Sequence, residues 1–255
     1  MTEAEAIAFI KELTQLSADA ILPHFARADL EIELKADESP VTIADRNAER
    51  VLRKAINEHY PQHGIIGEEF GNENESAEFV WVLDPIDGTK AFTANVPLFG
   101  TLICLMRDGQ PWIGAIHQPV CRQLFLGNGE QAWLNDVPIR VSKQAELTKA
   151  KLVTWDFDFP RQHCETARWD ALLKTVGQYR TWGDCYGYAL LANGGVEISC
   201  DCAMNPWDIM ALIPLVRGAG GIITDWQGGD AVKGRTILAS TPALHGKVLE
   251  ILNGG

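Results

Sequence analysis

The chain has 255 residues, 46% hydrophobic and 22% charged, the balance of a soluble globular protein with room for one large domain or two small ones. A formal net charge of -12 with no basic patch argues against nucleic acid or an anionic membrane as partner, yet allows an anionic substrate whose charge metal ions neutralise locally. The acidic amino terminus lacks a signal-peptide core, no apolar stretch reaches membrane-spanning length, and six cysteines without Cys-x-x-Cys spacing read as reduced core thiols, so a cytoplasmic protein is expected.

Apolar positions at Ile7, Ile10, Leu13, Leu16, Ala20 and Ile21 predict a helix over 3–25. Residues 30–34 alternate as an edge strand would, and 35–40 read as a loop. Thr42-Ile-Ala-Asp45 has the form of a capping box opening a helix with Ala48, Leu52, Ala55 and Ile56 inward. Asp45 there fits helix-dipole compensation, worth about 0.3–1 kcal/mol. A short strand at 64–67 runs into Glu68-Glu69, and 72–78 reads as an exposed loop. After residue 100, strands are expected at 101–106, 112–116, 123–126, 132–134 and 139–141 as an antiparallel set. The polar stretch 142–149 suggests a boundary, giving an amino-terminal α+β part (1–145) and a carboxy-terminal α/β part (146–255). In the second part, strands are expected at 151–155, 196–200, 222–224 and 236–239. Helices are expected at 161–176, from Gly183-Asp184 to 193, from Asn205 onward with a kink at Pro214, and at 242–252.

The stretch 79–89 carries the strongest chemical signal. Its apolar run reads as a buried strand stopped by Pro85, with Asp84 and Asp87 crowded at its carboxyl end beside Gly88 and Thr89. Two anions held so close repel unless a cation lies between them, and hard oxygen ligands suit Mg²⁺. A plain β-turn would use the same residue types. Glu68 repeats the pattern on a neighbouring strand, and three or four carboxylates at one sheet edge make a poor structural motif and a good cation site. An EF-hand fails because its first ligand position would be Leu83, and the glycines at 218–221 close a helix rather than open one.

Three stretches, Gly67-Glu68-Glu69, Asp84-Pro-Ile-Asp-Gly-Thr89 and Trp207-Asp208 leading into Gly218-Ala-Gly-Gly221, resemble the motifs of the inositol monophosphatase superfamily of Mg²⁺-dependent phosphatases. Lys90-Ala-Phe92, the stretch 96–101, the stretch 183–189 and Asn205-Pro-Trp-Asp208 are most similar to its histidinol-phosphate phosphatase branch. The resemblance implies a layered α-β-α-β-α sandwich, an α+β / α/β fold, and a homodimer. It implies two to three Mg²⁺ ions held by Glu68, Asp84, the carbonyl of Ile86, Asp87 and Asp208. It also implies that the amides of Gly88 and Thr89 cradle the phosphate, and that Thr89 and Asp45 orient and deprotonate the attacking water. Gly183, Asp184 and Asp201 would approach the substrate, although turn and cap roles suit the two aspartates equally.

The expected activity is hydrolysis of a small phosphomonoester, L-histidinol phosphate, by metal-activated water. An inositol-1-phosphate or broad sugar-phosphate phosphatase is the alternative on the same scaffold, and a non-catalytic metal- or phosphate-binding protein a remote one. Acidic partners would attract the ammonium group of histidinol phosphate, and Tyr186 or Trp182 could stack on its imidazole.

Overall fold

In the computed structural model, which describes residues 1–27, 32–34 and 40–254, helix α1 (Glu3–Ile21) opens on a capping box between Thr2 and Glu5. A 3₁₀ turn at Leu22–His24 follows, with Pro23 in its first turn. Strands β1 (Ile32–Leu34) and β2 (Pro40–Thr42) pair antiparallel. Part of the expected 30–34 strand, and residues 35–39 of the expected loop, lie outside the described residues. Helix α2 (Ile43–His59) starts on the Thr42–Asp45 capping box.

The next elements are β3 (Gly64–Gly67), β4 (Gly71–Glu73), β5 (Phe79–Asp87), α3 (Thr89–Thr93), β6 (Gly100–Arg107), β7 (Gln110–Gln118), β8 (Gln123–Gly127), β9 (Ala132–Leu134) and β10 (Val137–Pro138). Their strands form one sheet in the order β10-β9-β8-β7-β6-β5-β3-β4, antiparallel except where β3 runs parallel to β5. The rest of the chain supplies β11 (Lys151–Val153), α4 (Thr166–Thr175), β12 (Gln178–Arg180), α5 (Cys185–Ala192), β13 (Ile198–Cys202), α6 (Pro206–Ile209), α7 (Leu212–Gly218), β14 (Ile222–Thr224), β15 (Thr236–Ser240) and α8 (Pro242–Asn253). Their sheet runs β12-β11-β13-β15-β14, with β12, β11 and β13 parallel.

The two sheets bury both faces, which explains their near-continuous apolar runs. Trp81, Leu83, Ile103 and Leu105 pack against Phe9, Leu13, Leu52 and Ile56 of α1 and α2. On the other face, Val82, Leu102 and Ile116 meet Tyr188, Leu212, Leu215 and Val216 of α5 and α7, which also cover Ile237 and Ala239 of the second sheet. Trp169, Leu172, Leu244 and Val248 of α4 and α8 close the far side. The result is the layered α-β-α-β-α fold. Gly114 and Gly127 are register partners on β7 and β8 beneath α7. A Cβ would stand 2.1 Å from Ala211 O at the first and 2.4 Å from Leu215 Cα at the second, so the α7 segment rests directly on sheet backbone. Among the described residues no helix is long and apolar enough to cross a membrane.

Several boundaries differ from expectation. Pro85 does not stop β5; the strand continues to Asp87 through a register shift, and the freed Pro85 carbonyl accepts from Thr101 Oγ1 at 2.8 Å. Gly71–Glu73 is an edge strand on β3 rather than the start of a loop. The last strand of the first sheet is Val137–Pro138, while the Ile139 and Val141 amides bond to Ala132 and Ala219 carbonyls instead. The helix expected from 161 starts at Thr166, because Pro160 sits in a separate 3₁₀ turn, Phe159–Gln162. The helix after Asn205 is two short helices: Pro214 has no N–H for the Met210 carbonyl and falls in the first turn of α7, where none is needed. Four cysteines are buried as expected, but Cys121 is exposed and Cys164 half-buried.

Candidate active site

The parallel pairing of β3 with β5 brings Glu68 beside the end of β5, and the Glu68 amide donates to Leu83 O at 3.3 Å. The bulge after Asp84 re-aims the strand so that Asp84 and Asp87 both reach one cleft. Gly88 turns the chain with φ +86°, a left-handed conformation that costs glycine little, and Thr89 begins α3. The cleft, about 250 Å³, is closed from the opposite side by the ends of β13, α5 and α6, which bring Asp201, Asp184 and Asp208.

Each acid is held by its local structure. Asp208 is the third residue of α6, where its Oδ2 accepts from the Asn205 amide at 2.7 Å. Asp87 accepts from the Cys185 amide at the start of α5. Asp184 precedes that helix with φ +51°, a conformation unusual for a side chain with a Cβ, and its carboxylate faces Gly88. Asp201 lies within β13, one residue further into a strand than expected; its Oδ1 accepts from Thr154 Oγ1 at 3.0 Å and the Trp155 amide at 2.9 Å. Asp45 caps α2 through Oδ2, which accepts from Thr42 N and Oγ1, while its Oδ1 accepts from Thr89 Oγ1 at 3.4 Å. The Thr89 hydroxyl also faces the Ile86 carbonyl at 3.0 Å.

Crowding and burial push these carboxyls upward. Asp84 rises well above the usual carboxylate range through burial, then through the charges of Glu68, Asp87 and Asp208. Asp87 does the same through burial and the charges of Asp184 and Asp208. Burial raises Asp208 to about 7, against the opposing hydrogen bond from Asn205. Asp184 rises to about 6 by burial, offset by Lys90, and Asp201 to about 6 by burial, offset by the Trp155 amide. Burial also brings Asp45 to about 6, opposed by its bonds to Thr42.

Asp84, Asp87 and Asp208 each offer an oxygen within 4.8 Å of the others. Asp84 Oδ1 is buried with no hydrogen-bond partner among the described residues. A polar atom left so is costly unless something else satisfies it. The donors are all hard oxygens, with Glu68 on the rim, so the set fits a divalent cation of the Mg²⁺ kind.

Glu68, Asp84, Ile86, Asp87, Gly88, Thr89, Asp184, Asp201 and Asp208 all line the cleft. Asp45 reaches it through Thr89. Gly183 does not line it: a Cβ there would stand 2.3 Å from Trp155 Cα, so this glycine serves close packing. Trp182 and Tyr186 are absent from the lining as well, and the aromatic walls are Trp155, Tyr188 and Trp207. Lys90 is a further lining residue, its Nζ 5.3 Å from the Trp155 ring centre. Nothing in local sequence marks Trp155 as a site residue, because it meets the motif residues only through the pairing of the second sheet.

The model of the inositol monophosphatase family matches residues 3–254. A histidinol-phosphatase of Chlorobaculum parvum is 34% identical over 246 residues, 96% of this chain and 95% of its own. A histidinol-phosphatase of Mycobacterium tuberculosis is 35% identical over 237 residues, 91% of each chain. Among solved structures, an inositol monophosphatase from Zymomonas mobilis superposes with a TM-score of 0.88 at 35% identity, covering 99% of both chains.

Proposed function

This chain belongs to the inositol monophosphatase family and is a phosphoric monoester hydrolase, and from that premise we propose that it is a Mg²⁺-dependent phosphatase acting on L-histidinol phosphate. The observation that carries the substrate is the second pair of buried acids. Asp184 and Asp201 line the same cleft as the Asp84–Asp87–Asp208 cluster, together with Trp155 and Trp207. An acidic, aromatic-walled pocket suits a substrate bearing an ammonium group and an imidazole. The identities to two histidinol-phosphatases support the same reading.

In this reading Asp84, Asp87, Asp208, Glu68 and the Ile86 carbonyl hold the Mg²⁺ ions, two to three in number. When bound, they supply Lewis-acid neutralisation of the phosphate's charge. The chain's own groups do the rest. The amides of Gly88, which caps α3, and of Thr89, which opens it, have no helical partners and would donate to the phosphate oxygens. Thr89 Oγ1 donates to Asp45 and so turns its lone pairs toward the attacking water. Asp45, ionised above about pH 6, takes the proton. Asp201 is braced by Thr154 and Trp155, which fixes the acidic wall against which the amine docks.

A second reading, inositol 1-phosphate or a broader range of sugar phosphates, is favoured by the likeness to the Zymomonas mobilis inositol monophosphatase. Phosphate release with Mg²⁺ from L-histidinol phosphate and from inositol 1-phosphate separates the two. A preference of about a hundredfold in kcat/KM, roughly 2.7 kcal/mol, supports the first reading, and comparable rates support the second. The homodimer and the cytoplasmic setting belong to the same proposal, and sedimentation of the purified protein tests the former.

A further inference from the structure

A buried ion pair sits behind the cleft, in none of the roles given so far. Glu49 and Arg53 lie one turn apart on α2; Glu49 is 0% exposed and Arg53 7%. Arg53 Nε donates to Glu49 Oε1 at 2.7 Å. The same carboxylate accepts two consecutive main-chain amides, Glu69 N on Oε2 at 2.8 Å and Phe70 N on Oε1 at 3.2 Å. The amide just before them, Glu68 N, is tied to β5 through Leu83 O. Arg53 reaches on to the Gly71 carbonyl and, at 2.8 Å, to Glu73. Three amides in a row, on Glu68 and the two residues after it, are thus each fixed.

Stability alone is a weak reason for this arrangement. Burying two charges costs several kcal/mol per ion, and well-packed apolar residues often do as well. The neighbouring chain nevertheless conforms to the pair. At Gly67 a Cβ would stand 2.1 Å from Glu49 Oε1 and 2.6 Å from Arg53 Nη2, so β3 meets the pair where there is no side chain. Asp45, Glu49 and Arg53 recur every four residues, one buried charged stripe along α2. Its first member reaches Thr89 and its second the backbone beyond Glu68.

We infer that Glu49 is a positioning residue: it clamps the chain after Glu68 so that this carboxylate is presented to Asp84 before a cation binds. The inference rests on the metal-dependent reading above, in which Glu68 is a ligand. Glu49 sets where Glu68 stands, and Arg53, with its Nε 2.7 Å from Glu49 Oε1, supplies the opposite charge beside it.

Glu49→Gln keeps the size of the side chain but leaves Arg53 with only the exposed Glu73 as counter-charge, whereas Glu49→Gln combined with Arg53→Met removes both charges of the buried pair. The probe is Mn²⁺ alone, followed by titration calorimetry, beside Mg²⁺-dependent phosphate release. If the wild-type chain neither binds Mn²⁺ nor turns over with Mg²⁺, the phosphatase reading fails, whatever Glu49 does. If it does both, Mn²⁺ affinity should weaken about tenfold or more in each variant, with turnover at saturating Mg²⁺ kept within about threefold. A merely structural pair would lower the melting temperature of the single variant, recover in the double, and leave Mn²⁺ affinity unchanged; that result overturns the inference. Hydrogen exchange on the metal-free wild type needs no variant. The Glu69 and Phe70 amides should be protected like those of β3, and free exchange there overturns it too.

Discussion

Thr89 Oγ1 stands 3.4 Å from Asp45 Oδ1, joining the turn after β5 to the first turn of α2 across 44 residues of sequence. The other oxygen of Asp45 is already engaged as a helix cap, so one carboxylate both starts a helix and faces the cleft.

Asp45→Asn should therefore separate the two jobs. The amide oxygen still accepts from Thr42, so the melting temperature stays close to wild type. Loss of the base lowers kcat about a hundredfold or more. The wild-type kcat/KM should fall as pH drops through about 6, where Asp45 takes up a proton, and the variant should fall less steeply there, because Asp184 and Asp201 still titrate in that range. Unchanged turnover in Asp45→Asn would remove Asp45 from the chemistry.

Asp87→Asn tests the cation cluster. Without metal, the crowded carboxylates repel, so removing one charge should raise the melting temperature measured in EDTA. Mg²⁺ should raise the melting temperature of the wild type by binding the folded form, and raise that of the variant far less. Turnover in the variant should fall by about two orders of magnitude or more. An equal Mg²⁺ response in both proteins would sink the ligand assignment.

Asp201→Asn keeps an oxygen for Thr154 and Trp155 while removing the charge. It should cost L-histidinol phosphate about tenfold or more in kcat/KM and leave p-nitrophenyl phosphate nearly untouched. Equal losses on both substrates would deny it a part in selection.

His245 gives a pH test remote from the cleft. Its Nδ1 lies 2.8 Å from Ser240 Oγ and its Nε2 3.0 Å from Thr224 Oγ1. Both ring nitrogens face hydroxyls, which can donate or accept, so the neutral ring is satisfied on both sides. Burial pushes the imidazole down from 6.5 to about 4. The unfolded chain thus takes a proton below about pH 6.5 that the folded chain refuses, and stability present above that pH is lost as pH falls toward about 4. With screening by partial solvent contact, the loss is on the order of 1 kcal/mol at pH 5. Urea midpoints of the wild type should drop between pH 7 and pH 5 more than those of His245→Gln, and parallel slopes would refute the assignment.

Gly127→Ala addresses the seat of α7. The new methyl would meet the Leu215 main chain, which cannot turn aside as a side chain can. A loss of about 1–3 kcal/mol in unfolding free energy is expected, as for other overpacked cores. A change below about 0.5 kcal/mol would mean that the helix rides up freely.

The turn from Asp84 to Thr89 was legible because its chemistry is local: carboxylates, proline and glycine within six residues. The same holds for the Asn205–Asp208 helix start, where cap, proline and acid follow one another. The continuation of β5 through Pro85 was not, since it depends on Thr101 from the adjacent strand taking the freed carbonyl. Trp155 and the Glu49–Arg53 pair escaped for a related reason. Local sequence does not separate Glu49 from a solvated helix glutamate; Gly67 and the 68–70 backbone lying against it do. Gly183 shows the limit from the other side: a glycine beside a motif looks the same whether it meets a ligand or a neighbouring backbone, and here the backbone of Trp155 lies against it.

Asp84 and Asp87 leave the ribosome long before Asp208 does, and the chain between them includes most of the second sheet. An incomplete nascent chain can pair β3 with β5 and expose two clustered anions, yet it lacks the third arm of the cluster. On the proposed assignment, tight cation capture begins only after the carboxy-terminal layers have docked. Metal retention would then report that synthesis and assembly are finished, and a chain stalled halfway would carry the motif without the grip.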